Sequence, residues 1–143
     1  GVKGNFFALI SLLDKVSLLP LGAIHNKRSF IGIDNLVDLL AHCIHHPQAS
    51  NKTFLASDDC DLSTSDLVRQ ISQLLGKSPV LIPVTSSLIN LVAQVFRKRQ
   101  LAMRLTGNLQ IDISQTIDTL DWRPKSTVEE GLSKTVNWYL ARR

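Results

Sequence analysis

The sequence has little to brace it covalently and nothing long enough to carry it across a bilayer. Cys43 and Cys60 are its only cysteines in 143 residues. Cys43 falls in an apolar helical pattern and Cys60 in an acidic stretch, and neither belongs to a C-x-x-C pair. A disulfide scaffold and a structural zinc site are therefore not expected, and a reducing, cytoplasmic setting is. Every apolar run is broken by Asp, Lys, Arg or Pro well short of the roughly 20 residues a spanning helix needs. The opening residues Gly1-Val-Lys-Gly-Asn5 lack an initiator methionine and a signal-peptide pattern, so Gly1 reads as a cut point inside a longer protein.

Aromatic residues make up only 6% of the chain, and the net charge is +4. Part of the excess lies in Arg97-Lys-Arg99 with Arg104, and part in Arg142-Arg143. Only Phe96 accompanies the first run, so no base-stacking array is visible and nucleic acid is not an expected partner. No metal site is expected either. His42 and His46 share a helix face, with His45 beside them, but no carboxylate is placed as a third ligand. They read instead as a helix end meeting its own dipole. Asp58-Asp59-Cys-Asp61 lacks the glycine and the terminal glutamate of an EF-hand loop and reads as an acidic turn.

What is present is an ordinary globular composition, 44% hydrophobic and 20% charged, at a length that suits one domain over residues 1–143. Helical spacing covers Asn5 to Leu13, with Phe6, Leu9, Ile10 and Leu13 on one side. Leu18 to Gly22 is extended around Pro20, and Ser29 to Ile33 reads as a strand leaving a loop. Asp34 stands where an N-cap belongs, before a stripe of Leu36, Leu39, Leu40 and Cys43. Lys52 to Ala56 and Val80 to Val84 read as short strands. Ser63 to Leu75 is a helix, capped by its leading hydroxyls and stopped by Gly76. Helices are also expected from Thr85 to Arg97 and from Leu101 to Leu105. The last third then reads as a short strand within Leu105 to Asp112, a short helix, the turn Leu120-Asp-Trp-Arg-Pro124, which Trp122 holds against the core, and a final helix. Ser126 and Thr127, each three residues before a glutamate, mark the start of that helix. Helices outnumber short strands, so the expected fold class is mixed, helix-rich α/β.

In series these pieces resemble the nucleotide-sugar epimerase/dehydratase branch of the extended short-chain dehydrogenases. Arg28-Ser-Phe-Ile-Gly-Ile-Asp-Asn-Leu36 is similar to that family's R-x-F/Y-x-x-V-x-D-L block, Asn51-Lys-Thr-Phe-Leu-Ala56 to its N-x-x-F/Y strand, and Leu62 to Gly76 to the helix that follows. Gly1 to Asn5 looks like the segment after a Y-G-P-G turn, and Leu18 to Gly22 like the loop passing the nucleotide base. The resemblance implies the C-terminal substrate-binding lobe of a two-domain enzyme, UDP-glucose 4-epimerase-like, whose Rossmann half is absent. NAD would be bound by that missing half and no cofactor by this piece. A glycine-rich βαβ turn is not found, since Phe7 occupies the third glycine position after Gly1 and Gly4. The only tyrosine, Tyr139, is followed four residues later by Arg143 rather than lysine. No catalytic residue is therefore expected, and the piece alone should be inactive.

The resemblance also implies a set of substrate-binding residues. A diphosphate calls for planar bidentate donors and amide N–H groups. Arg28 and Arg104 match arginines placed on the diphosphate. Asn5, opening the first helix, matches an asparagine near the diphosphate or ribose. Asn108 stands where the family has a polar, often acidic, residue for the ribose hydroxyls. Leu19 and Leu21 flank Pro20 where the base would lie; both read equally well as core residues. Interconversion at C4 of a UDP-sugar is the expected activity, in a cytoplasmic homodimer with no membrane association. A 4,6-dehydratase, decarboxylase or 4-keto reductase shares the same lobe. The alternative from another class is a non-catalytic basic interaction domain centred on Arg97 to Arg104.

Overall fold

A computed structural model describes residues 4–97 and 99–143, without the side chains of Asn5 and Leu101. Gly1 to Lys3 of the first matched segment lie outside the described residues. In chain order the elements are α1 (Asn5–Lys15), β1 (Leu18–Leu19), β2 (Arg28–Ser29), α2 (Ile33–His45), β3 (Asp61–Leu62), α3 (Thr64–Leu74), β4 (Val80–Leu81), α4 (Ser86–Val95), α5 (Arg99–Thr106), α6 (Ser114–Leu120) and α7 (Val128–Leu140), with a 3-10 turn at Pro47–Ala49 after α2. The helix-rich α/β class stands, with few and very short strands. No helix among the described residues is long and apolar enough to cross a membrane.

The principal core lies where α1, α3 and α7 meet. It holds Ile10 and Leu13 from α1, Val68 and Ile71 from α3, and Leu132 and Val136 from α7. Each fully buried aliphatic side chain of this kind contributes about 1.5–3 kcal/mol. Both ends of α3 follow from its sequence. The Ser63 hydroxyl accepts from the Asp66 amide at 3.0 Å. At the other end Gly76 has φ +71, and the amides of Gly76 and Lys77 return to the carbonyls of Gln73 and Ser72, a Schellman closure. α7 opens with a complete capping box between Thr127 and Glu130.

Asp14 joins two of these helices. Its carboxylate accepts from the Tyr139 hydroxyl at 3.1 Å and pairs with Lys77 at 2.9 Å and Arg143 at 3.2 Å. The Lys77 hydrogen bond holds its carboxyl below the ordinary range against the opposing effect of burial, helped by Tyr139 and the Arg143 charge.

β1 and β4 pair in parallel. Gly22 is required just beyond, because a Cβ there would stand 2.6 Å from the Leu81 carbonyl oxygen. A smaller second core gathers Leu39, Leu120 and Trp122, with Cys43 at its edge. The Trp122 indole donates to Asp38 at 2.8 Å.

Several sequence expectations are corrected. The strand placed at Ser29 to Ile33 is confined to Arg28–Ser29, and Ile33 already belongs to α2. The cap of α2 is Gly32, not Asp34. Buried Asp58 accepts from the Gly32 amide at 2.9 Å, which leaves Asp34 free to pair with Lys134. Lys52 to Ala56 forms no strand among the described residues, and Leu55 is exposed. Its apolar content suggested a buried strand, but no neighbouring strand completes the ladder. The strand expected within Leu105 to Asp112 is a single bridge at Leu109, because α5 runs on through Thr106.

Candidate functional site

The site builds outward from β2. This strand pairs antiparallel with β3, Arg28 opposite Leu62 and Ser29 opposite Asp61. On its other edge the Ser29 amide donates to the Leu109 carbonyl, and the Leu109 amide to that of Lys27, both at 2.9 Å. Arg28 therefore sits on the middle one of three short segments. Its guanidinium donates to the carbonyl oxygen of Arg104, in the last turn of α5. That end of a helix carries partial negative charge, which favours a cation there.

The neighbouring carbonyls of α5 are satisfied the same way. Buried Asn26 donates to the Gly107 carbonyl at 2.8 Å and accepts from the Thr64 amide at 2.8 Å. The Thr64 hydroxyl donates to the Leu105 carbonyl at 2.6 Å. Gly107 closes the helix where a Cβ would meet the Met103 carbonyl at 2.6 Å. Asn108, next along, accepts from the Lys27 amide through its side-chain oxygen at 2.9 Å.

Arg28, Arg104 and Asn108 are thus brought to one corner although 76 residues separate the two arginines. Arg104 and Asn108 are exposed and Arg28 is half-buried. The corner is open surface with guanidinium and amide donors, which suits an oxyanion. Alternation along β2 and β3 puts Ser29 and Asp61 on the face away from Arg28. There Asp61 accepts from Ser29 and from Gln110, each at 2.6 Å. These two bonds, with the charge of Lys27, hold its carboxyl below its usual range. The Asp61 carboxylate is thereby occupied, on the face away from the Arg28 side chain.

No protein-family model matches the chain. It is 45% identical over 98% of its length to UDP-glucose 4-epimerase of Vibrio cholerae. The chain is a relative of that epimerase. It is also 23% identical over 79% of its length to Protein CapI of Staphylococcus aureus. It spans only 43% of the first relative and 34% of the second.

The other residues expected to bind substrate fare differently in this epimerase relative. The side chain of Asn5 lies outside what the structure describes, although its backbone opens α1. Phe6, next to it, lines a small apolar cavity with Phe30 and Gly32. The start of α1 therefore faces the segment leaving β2, while the Arg28 guanidinium turns toward α5. Leu19 and Leu21 have their side chains in the principal core. Their carbonyls accept from the Ile82 amide and the Ser65 hydroxyl. Among the described residues no group of three or more His, Cys, Asp or Glu side chains comes together to hold a metal ion. His42 and His46 stack with ring centroids 5.3 Å apart, and His42 contacts the Leu120 carbonyl through Nε2 at 2.7 Å. Both cysteines are free thiols.

Sequence reasoning passed over Asn26, which binds α3 to the end of α5. It stands two residues before Arg28 in a stretch that reads only as a loop, and its partners are distant in sequence.

Proposed function

We propose that this chain forms the nucleotide-sugar-binding part of an NAD-dependent UDP-sugar 4-epimerase. The observation that carries the reading is the meeting of Arg28, Arg104 and Asn108 beside the end of α5, in a chain similar along its length to a UDP-glucose 4-epimerase. Arg28 and Arg104 supply guanidinium donors for the diphosphate, and the exposed amide of Asn108 serves a ribose hydroxyl. Arg28 is already oriented by its bond to the Arg104 carbonyl, so little rotamer entropy is lost when an anion arrives. Held by its remote nucleotide, the sugar is positioned for reaction, and that binding energy is spent on orientation.

The residues of this chain do not fit NAD itself. Among the described residues no glycine-rich turn joins a strand to a helix. Tyr139 is buried, with its hydroxyl donating to Asp14 at 3.1 Å. In this reading hydride transfer belongs to polypeptide outside this chain, and the four-residue-spaced Tyr and Lys pair lies there too.

The test is the interconversion of UDP-glucose and UDP-galactose by the full-length protein and its Arg28→Ala variant. Loss of one charge-assisted diphosphate contact is worth about 1.5–3 kcal/mol, so KM for the UDP-sugar should rise roughly 10- to 100-fold. A variant with unchanged KM and kcat would remove Arg28 from the site. A 4-keto-6-deoxy product in place of the epimer would reassign the lobe to a dehydratase.

A further inference from the structure

All 12 carboxylate residues lie outside the segment between Asp66 and Asp112. That segment contains Arg69, Lys77, Arg97, Lys98, Arg99 and Arg104, and it builds the hairpin of α4 and α5. The two helices pack on each other more than on any other helix among the described residues. They turn at Arg97, which has φ 54.

α4 buries no residue completely. Its inward side offers Ile89 and Ala93, both half-buried. Its outward side is a helical stripe, Leu88, Leu91, Val92 and Val95, continued by Phe96 and joined by Met103 of α5. Val95 is 73% exposed, Phe96 69% and Leu91 61%. Three to four apolar positions per two turns on the solvent side are what a core-facing helix shows, not a free one. The arginines stand at the tip, beside Val95 and Phe96, among the described residues the most exposed apolar side chains of the hairpin.

The chain has a second exposed apolar stripe, Ile33, Val37, Leu40 and Ile44 on α2. Its flanking charges are Asp34 and Asp38, and these pair with Lys134 and Lys125. Among the described residues only the hairpin combines an open apolar face with positive charge that no ion pair answers. The partner that matches both is a surface with hydrocarbon below and anionic groups above.

We propose that the α4–α5 hairpin docks this protein on an anionic lipid bilayer. Val95, Phe96 and the stripe behind them enter the boundary between headgroups and acyl chains, while Arg97 and Arg99 meet the lipid phosphates. This departs from the expectation of no membrane association, and it stands independently of the nucleotide-sugar reading. A second copy of the chain fits less well, because a two-fold contact presents the same face twice, and the segment that builds it has no carboxylate to answer Arg97 and Arg99. A nucleic acid would leave the aliphatic stripe without a role.

The experiment is co-flotation of the full-length protein with phosphatidylglycerol vesicles and with phosphatidylcholine vesicles, beside sedimentation of the protein alone. The proposal expects binding to the anionic vesicles, weakened by added salt, and at most slight binding to the zwitterionic ones. The double variant Val95→Ser, Phe96→Ser should bind about tenfold less or weaker, since each loses most of an apolar contact. The charge reversal Arg97→Glu, Arg99→Glu should abolish the preference for phosphatidylglycerol. Circular dichroism should be unchanged in both, since all four side chains are exposed. Absence of vesicle binding, equal binding to both lipids, or wild-type binding by both variants would overturn the proposal. So would a wild-type dimer that the serine variant converts to monomer without any change in vesicle binding.

Discussion

α4 and α7 are both short amphipathic helices, and the more apolar of the two is the less buried. α4 reads Ser-Ser-Leu-Ile-Asn-Leu-Val-Ala-Gln-Val and buries nothing completely, while α7 carries more polar and charged residues and buries Val128, Leu132, Val136 and Tyr139. The difference lies in their surroundings. α7 begins with a reciprocal capping box and lies against α1 and α3. Asn35 fastens the turn before it, accepting from the amides of Lys125 and Ser126 and donating to the Ser126 carbonyl at 2.7 Å. α4 has no side-chain cap and only α5 as a close helical neighbour among the described residues. Hydrophobic spacing marks a face that seeks a partner, but does not say whether the partner is in the same chain.

The sharpest way to break this contrast is at Asn35, which is almost wholly buried and also donates to Asp58 at 2.7 Å. Replacing it by alanine strands two amides and a carbonyl, and leaves Asp58 with the Gly32 amide but without its side-chain donor. The expected loss is about 3–4 kcal/mol, from several unsatisfied groups each costing about 1–3 kcal/mol and partly relieved by water. Urea unfolding should show the midpoint falling accordingly, and an unchanged midpoint would mean that the turn holds itself. Next comes a matched pair of valines. Val136→Ala on α7 removes two methyl groups from a site with no exposure and should cost about 2 kcal/mol in the same measurement.

Asp14 gives a smaller effect that depends on pH. Its carboxyl is depressed in the folded chain, chiefly by the Lys77 hydrogen bond. A depressed carboxyl contributes stability above its unfolded value of about 3.9 and loses it as pH falls through the folded value. Asp14→Asn should therefore be less stable than the parent at neutral pH, with the gap narrowing as both are acidified. A gap that stays constant in acid would mean that the ion pairs contribute nothing. Smallest of all is Val95→Ala on α4, where the lost methyls were in water. Its midpoint should shift by less than about 0.5 kcal/mol. A larger loss would show that α4 is covered after all.

These contrasts also mark what the sequence conveys. Capping signals were legible, because Ser63 with Asp66 and Thr127 with Glu130 act within one turn of chain. So were the helical stripes of α1, α3 and α7, whose period is local. The strands are shorter than their sequences suggest. Val80 to Val84 and Ser29 to Ile33 have apolar residues enough for longer strands, but pairing is settled by neighbours, and only Val80 and Leu81 of the first and Ser29 of the second find them. α2 was half legible. Leu39 and Cys43 face the second core, but Leu40, read as part of the same stripe, is exposed. At the candidate site the resemblance pointed to Arg28 and Arg104, but not to the bond between one side chain and the other's backbone. Nor did it point to Asn26, since a loop asparagine announces no partner.

The bond from Arg28 to the Arg104 carbonyl ties the cationic corner to the base of the two-helix arm. A tilt of that arm, pivoting where Gly107 ends it, would carry the carbonyl away and leave the guanidinium to swing toward whatever negative charge stands nearest. Posture at the far tip and grip at the near end would then be read by the same side chain.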